Sequence, residues 1–196
     1  DELKALIAVA KEFDLPVHLD GARFANALAS LGCTAAEMSW KLGVDAVSFG
    51  GTKNGLMGVE AVIFFDPAKA WEFELRRKRG AHLFSKGRYL AAQMEAYLSD
   101  DLWIKSAAKA NANMARLANG LRSLAGVEFL AEPDANMVFA KLPRAMHQRL
   151  QGGGAVYYLM DEQEGDDPSE PLLCRLVSDW SISEQPIDQF IALAAG

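Results

Sequence analysis

Leu3, Leu6, Ile7 and Ala10 fall on one face of a helix predicted over Asp1–Phe13. Asp1 and Glu2 at its start suit the helix dipole. Asp14–Pro16 ends that pattern and leads into an apolar strand, Pro16–Asp20, reading P-V-H-L-D. Phe24, Ala27, Leu28 and Leu31 then repeat at i, i+3, i+4 and i+7, predicting a short helix stopped by Gly32. Thr34 and Glu37 stand at capping-box spacing and predict another short helix, closed by Gly43. Val44–Phe49 is β-branched and aromatic without polar alternation, the pattern of a strand covered on both faces. Strand, helices, strand in this order predicts a βαβ crossover in a parallel sheet.

Ala61–Phe65 (A-V-I-F-F) is a third apolar strand, ended by Asp66-Pro67. The pattern becomes helical from Ala68 to Asp101, interrupted around Gly80 and Gly87, with Trp71, Phe73, Leu75, Leu90, Met94 and Leu98 as apolar markers. A longer helix, Leu102–Leu124, carries Met114, Leu117, Leu121 and Leu124 on a stripe and ends at Gly126. Short strands are predicted at Val127–Leu130 and at Met137–Leu142, which alternates. A helix over Arg144–Leu150 runs into Gly152-Gly153-Gly154, and two more strands follow at Ala155–Leu159 and Leu172–Val177. Between them Asp161–Pro171 is acidic and proline-containing, an exposed and mobile loop by expectation. Ser183 is placed to cap a last helix with Ile187, Phe190, Ile191 and Ala194 inward. The expected boundary lies within the long helix that starts near Leu102: residues 1–101 form part of an α/β sheet domain and 102–196 a small α+β domain. The first helix is well formed from its first residue, with no strand and no methionine before it, as though the sequence were cut from a longer protein.

Composition narrows the classes. The chain has 196 residues, is 51% hydrophobic and carries a formal charge of −6, enough for a substantial core. The acidic balance argues against nucleic acid or an anionic membrane as the main partner. Cys33 and Cys174 lie in apolar surroundings without metal-ligand spacing and read as buried free thiols of a reducing, cytoplasmic compartment before a disulfide. No apolar run reaches spanning length.

The candidate chemistry sits where two strands stop. A-V-S-F-G-G-T-K-N-G delivers Lys53 at the end of one strand, and P-V-H-L-D delivers Asp20 at the end of another. Ligands of such sheets bind at the carboxyl ends of strands. There an amine can attack a carbonyl carbon, favoured by the desolvation of a dry strand-end pocket. A carboxylate can pair with a protonated pyridine nitrogen. Gly50, Gly51 and Gly55 are expected to let a bulky cofactor approach the backbone. Alone, Lys53 is also compatible with a solvated turn, and Asp20 with a helix cap. Together they resemble the two protein handles of pyridoxal phosphate. No Walker loop is present.

H-L-D-G-A-R-F-A-N-A followed by S-F-G-G-T-K-N-G closely resembles the low-specificity L-threonine aldolases, within the β-eliminating lyase group. The likeness extends to R-R-K-R-G-A-H-L-F-S-K and the late R-L-V-S-D-W. It implies an α/β fold, the carboxyl-side part of an aspartate-aminotransferase-like (fold type I) pyridoxal-phosphate enzyme with a small C-terminal α+β domain. It implies pyridoxal 5'-phosphate as cofactor, Lys53 as the Schiff-base lysine and Asp20 as the partner of the pyridine nitrogen. Arg23 and Arg175 would hold the substrate carboxylate or nearby cofactor oxygens, as planar guanidinium groups can. The reaction implied is cleavage of a β-hydroxy-α-amino acid such as L-threonine, L-allo-threonine or phenylserine to glycine and an aldehyde, in a cytoplasmic homodimer or homotetramer. The family's phosphate-binding and ring-stacking residues would precede Asp1.

Three further features leave alternatives open. His18 shares a strand face with Asp20 and reads as a hydrogen-bonded strand histidine before a base; His82 and His147 carry little chemical signal. The basic run Arg76-Arg77-Lys78-Arg79, with Lys86 and Arg88, is a solvated helix face, or in an oligomer a phosphate contact for a neighbouring subunit; nucleic acid ranks third. Rival functions are another fold-type-I aminotransferase or amino-acid lyase, or a non-catalytic protein retaining the fold.

Overall fold

Residues 1–161 and 165–196 are described by a computed structural model. The chain divides into two compact units, Asp1–Lys105 and Ser106–Gly196.

In the first unit, α1 (Glu2–Glu12) precedes β1 (His18–Gly21), and α2 (Phe24–Leu31) leads toward β2 (Ala46–Gly50). β1 and β2 pair in parallel with Asp20 opposite Ser48 and Gly21 opposite Phe49. β3 (Glu60–Phe64) pairs with β2 antiparallel, setting Gly50 opposite Glu60, so the three-stranded sheet is mixed with β2 in its centre. Two helices follow, α3 (Ala70–Arg79) and α4 (Gly87–Leu98). Val47 and Phe49 point from β2 into a core with Ile7, Phe24, Leu28, Met38, Val44 and Tyr97. Phe49 is its hub, packing edge-on against Phe24 at 5.9 Å and Trp103 at 5.6 Å.

Several expectations are corrected here. The Thr34–Glu37 box closes, with Thr34 N donating to Glu37 Oε2 at 2.9 Å and Glu37 N to Thr34 Oγ1 at 3.2 Å. No helix follows it: the next amides bond three, four or five residues back instead of holding one register, so residues 35–43 run as turns. Strand β1 is exposed at His18 and Asp20, which share a face that nothing among the described residues covers, whereas β2 is covered as its pattern required. In α1 only Ile7 is buried and Leu6 is exposed, since nothing in the described chain covers that side of the helix. The markers of α3 likewise stay outside: none of its residues is buried.

The second unit begins within α5 (Leu102–Arg122) and contains the antiparallel sheet β4-β5-β7-β6. These strands are β4 (Glu128–Phe129), β5 (Met137–Pro143), β6 (Tyr158–Leu159) and β7 (Pro171–Val177), with α6 (Arg144–Gly152) and α7 (Glu184–Ala195). Alternate residues of β5 and β7 are buried: Val138, Ala140 and Leu142 against Leu172, Cys174 and Leu176. They pack with Met114, Leu117 and Leu121 of α5, Met146 and Leu150 of α6, and Ile187 and Ala194 of α7. Ser183 occupies the N-cap of α7, but its side chain makes no capping bond. Part of the predicted mobile loop, residues 162–164, lies outside the described residues.

Candidate functional site

The carboxyl ends of β1 and β2 are drawn together by glycine. A Cβ on Gly50 would stand 2.6 Å from Ala22 O and 2.8 Å from Ala22 Cα, and one on Gly21 would stand 2.6 Å from Ser48 O. The turn carrying Asp20 therefore rests directly on the strand end that carries Lys53. Gly51 is equally confined, by Leu56 Cδ1 at 2.5 Å and Val59 O at 2.6 Å. Gly50 and Gly51 thus serve the chain's own close packing. Gly55 adopts a φ of 115°, the left-handed region that ends the turn.

Lys53 is the middle residue of a single 3-10 turn, Thr52–Asn54. Its side chain is exposed, so the dry pocket expected around it is not built by the described residues. Among those residues no carboxylate forms an ion pair with it. The turn itself is tightly held. Asn54, buried, donates through Nδ2 to Tyr97 Oη at 2.6 Å and to Trp103 O at 2.8 Å. Tyr97 Oη donates to Gly50 O at 3.3 Å, and burial raises its phenol above the ordinary tyrosine range. Glu60 accepts from Gly51 N at 3.1 Å and from Thr52 N at 3.2 Å. Gln93 Oε1 accepts from Met57 N at 2.9 Å.

Asp20 is exposed and accepts from Ala22 N through Oδ1 at 3.0 Å. This is an Asx turn and not a cap of α2, whose N-cap residue is Arg23. Arg23 is half-buried. His18, Asp20 and Ser48 lie on one face of the β1–β2 pair, where His18 Nε2 meets Ser48 Oγ at 2.8 Å. His18 is therefore the hydrogen-bonded strand histidine of the sequence reading. The Arg76–Arg79 run closes α3 on its exposed surface, with Arg76 paired to Glu72 at 2.5 Å. His82 is also exposed.

Arg175 stands on β7 in the second unit, half-buried, its guanidinium 5.1 Å from the centre of the Tyr158 ring. It lines a groove of about 1190 Å³ with Tyr157, Tyr158, Ile187, Phe190 and Arg149. Arg149 is committed to the end of α7 through Leu193 O and Ala194 O, whereas no described carboxylate pairs with Arg175. His147, given little weight from sequence, is buried: Tyr157 Oη lies 2.7 Å from Nδ1 and Leu172 O 3.1 Å from Nε2. Burial holds its pKa below the usual histidine value. Cys174 is a buried thiol pushed up to about 12 by desolvation. Among the described residues no cluster of histidine, cysteine and carboxylates could hold a metal, and no helix is long and apolar enough to cross a membrane.

Sequence reasoning missed Glu60, Asn54, Tyr97 and Ser48. Asn54 and Ser48 lie within the lysine motif, Ser48 meeting His18 across the strand pair. Glu60 and Tyr97 reach the turn only through strand pairing and helix packing.

The curated low specificity L-threonine aldolase of Pseudomonas sp. (strain NCIMB 10558) is 38% identical over 192 residues, covering 98% of this chain and 53% of that protein. That of Pseudomonas aeruginosa is 44% identical over 158 residues, 81% of this chain and 46% of its own length. The chain spans about half the length of the curated relatives it matches. The solved threonine aldolase of Leishmania major superposes with a TM-score of 0.87 at 28% identity, over 98% of this chain and 55% of that one. Sphingomonas wittichii serine palmitoyltransferase, at 17% identity and a TM-score of 0.66, shares the fold, covering 98% of this chain and 49% of its own. The α/β, fold-type-I architecture implied by the motifs is borne out. The family model for beta-eliminating lyases matches residues 1–145, and the chain belongs to that family.

Proposed function

We propose that the complete protein is a pyridoxal-phosphate-dependent, low-specificity L-threonine aldolase that splits β-hydroxy-α-amino acids to glycine and an aldehyde. The observation that carries this reading is the contact of Gly50 with Ala22, which brings the turns of Lys53 and Asp20 to one sheet end. Their donor set fits the cofactor: a solvent-reachable primary amine for its aldehyde and an accepting carboxylate for its ring nitrogen. When bound, pyridoxal phosphate supplies an electron sink for breaking the bond between Cα and Cβ. Asp20 would keep a proton on the ring nitrogen. Arg23 and Arg175 would hold the substrate carboxylate or nearby cofactor oxygens, and the absence of an ion-pair partner for Arg175 among the described residues supports that role. Residues 1–101 would belong to the cofactor-binding domain and 102–196 to the small domain.

The enzyme works in the cytoplasm as a homodimer or homotetramer; the exposed Trp71, Leu75, Leu83 and Phe84 support burial against another copy. Product analysis of the full-length protein tests the reaction. Wild type yields glycine and acetaldehyde from L-threonine, and Lys53→Ala abolishes this turnover. Transfer of the amino group to a keto acid would point instead to an aminotransferase. Activity surviving Lys53→Ala, or wild type with no visible cofactor band that borohydride removes, would defeat the assignment.

A further inference from the structure

Both backbone N–H groups that open the lysine turn point at one side chain from the neighbouring strand. Glu60 Oε2 takes Gly51 N–H and Oε1 takes Thr52 N–H. Such amides at the start of a helical turn have no partner within it, and a carboxylate makes the stronger, charge-assisted bonds to them. Glu60 reaches them because β3 pairs antiparallel with β2 and sets it opposite Gly50. On the far side of the lysine, Asn54 is clamped to Tyr97 Oη and Trp103 O. The residues flanking Lys53 are therefore each tied down, and Lys53 itself is left exposed between them.

We propose that Glu60 is a positioning residue for Lys53. By gripping the two amides before the lysine, it holds the turn in the one conformation that presents the amine beside the Asp20 turn. This rests on the reading of Lys53 as the cofactor lysine. Glu60 touches neither cofactor nor substrate in this role; it acts through the backbone. Because its side chain is exposed, its removal leaves the core cluster around Phe49 intact.

The test uses full-length wild type, Glu60→Gln and Glu60→Ala. Hydrogen exchange of the segment spanning residues 50–57 is measured on the cofactor-free proteins, together with melting temperature. Affinity for pyridoxal phosphate is read from the visible band and from borohydride-fixed mass on Lys53. Glu60→Ala is expected to speed exchange in that segment and to weaken cofactor binding by roughly tenfold, as loss of charge-assisted bonds predicts. Glu60→Gln falls between, because one amide oxygen can still accept. Exchange elsewhere and the melting temperature stay near wild type. Unchanged exchange in Glu60→Ala, or faster exchange with unchanged cofactor affinity, would overturn the proposal while leaving the cofactor reading intact. A wild type that takes up no pyridoxal phosphate defeats the cofactor reading itself, and Glu60's role toward Lys53 with it.

Discussion

At the residue scale, the site depends on an atom that is missing. Gly50 lies against the backbone of Ala22, with no flexible side chain between to give way. Gly50→Ala is expected to destabilise the protein by about 1–3 kcal/mol, the usual range for overpacking. It should also separate the Asp20 and Lys53 turns. Chemical denaturation and pyridoxal-phosphate titration check the two effects independently, and a variant with wild-type stability and affinity would contradict the close-packing account. The sequence showed the glycine but not this contact. Ala22 is distant from Gly50 along the chain, and only strand pairing brings it near.

At the element scale, β1 is set against β2 partly by Asp45, just before β2. Its carboxylate accepts from Val17 N at 2.8 Å and pairs with Lys69 at 3.1 Å. The Val17 amide first, and Lys69 second, hold its pKa below the usual aspartate range. A folded pKa below the unfolded one means stability that is present above the unfolded value, about pH 4. It is lost as pH falls through the lower, folded one. Acid titration of the melting temperature should therefore be shallower below pH 4 in Asp45→Asn than in wild type; parallel curves would show that Asp45 does not couple to folding. The same scale shows why the box at Thr34 and Glu37 misled. Capping satisfies the first amides of a helix, but it cannot carry the register through a segment whose later amides find other carbonyls.

At the scale of the whole molecule, the two units depend on different interactions. The second contains His147, set between Tyr157 and Leu172 O. Burial lowers its pKa; the Leu172 and Leu142 backbone and Asp161 oppose that effect and Arg144 adds to it. Its folded pKa lies below the unfolded value near 6.5. Above that pH both states are neutral and the group is silent. As pH falls below it the unfolded chain takes up a proton that the native state refuses, so stability declines toward the folded pKa. His147→Gln should flatten the loss of melting temperature between pH 7 and 5, and an unchanged slope would locate the acid response elsewhere.

The order of strands and helices apart from the helix expected after Thr34, the long helix, the alternation of β5 and the motifs that carry Lys53 and Asp20 were legible in the sequence, because they follow from local periodicity and from two short motifs. Family and fold came with those motifs. What the sequence could not contain was how strands choose partners. The antiparallel entry of β3, the Gly50–Ala22 contact and the grip of Glu60 on the lysine turn arise from pairing between distant segments. A hydrophobic pattern specifies which face of an element is buried, but not which element covers it.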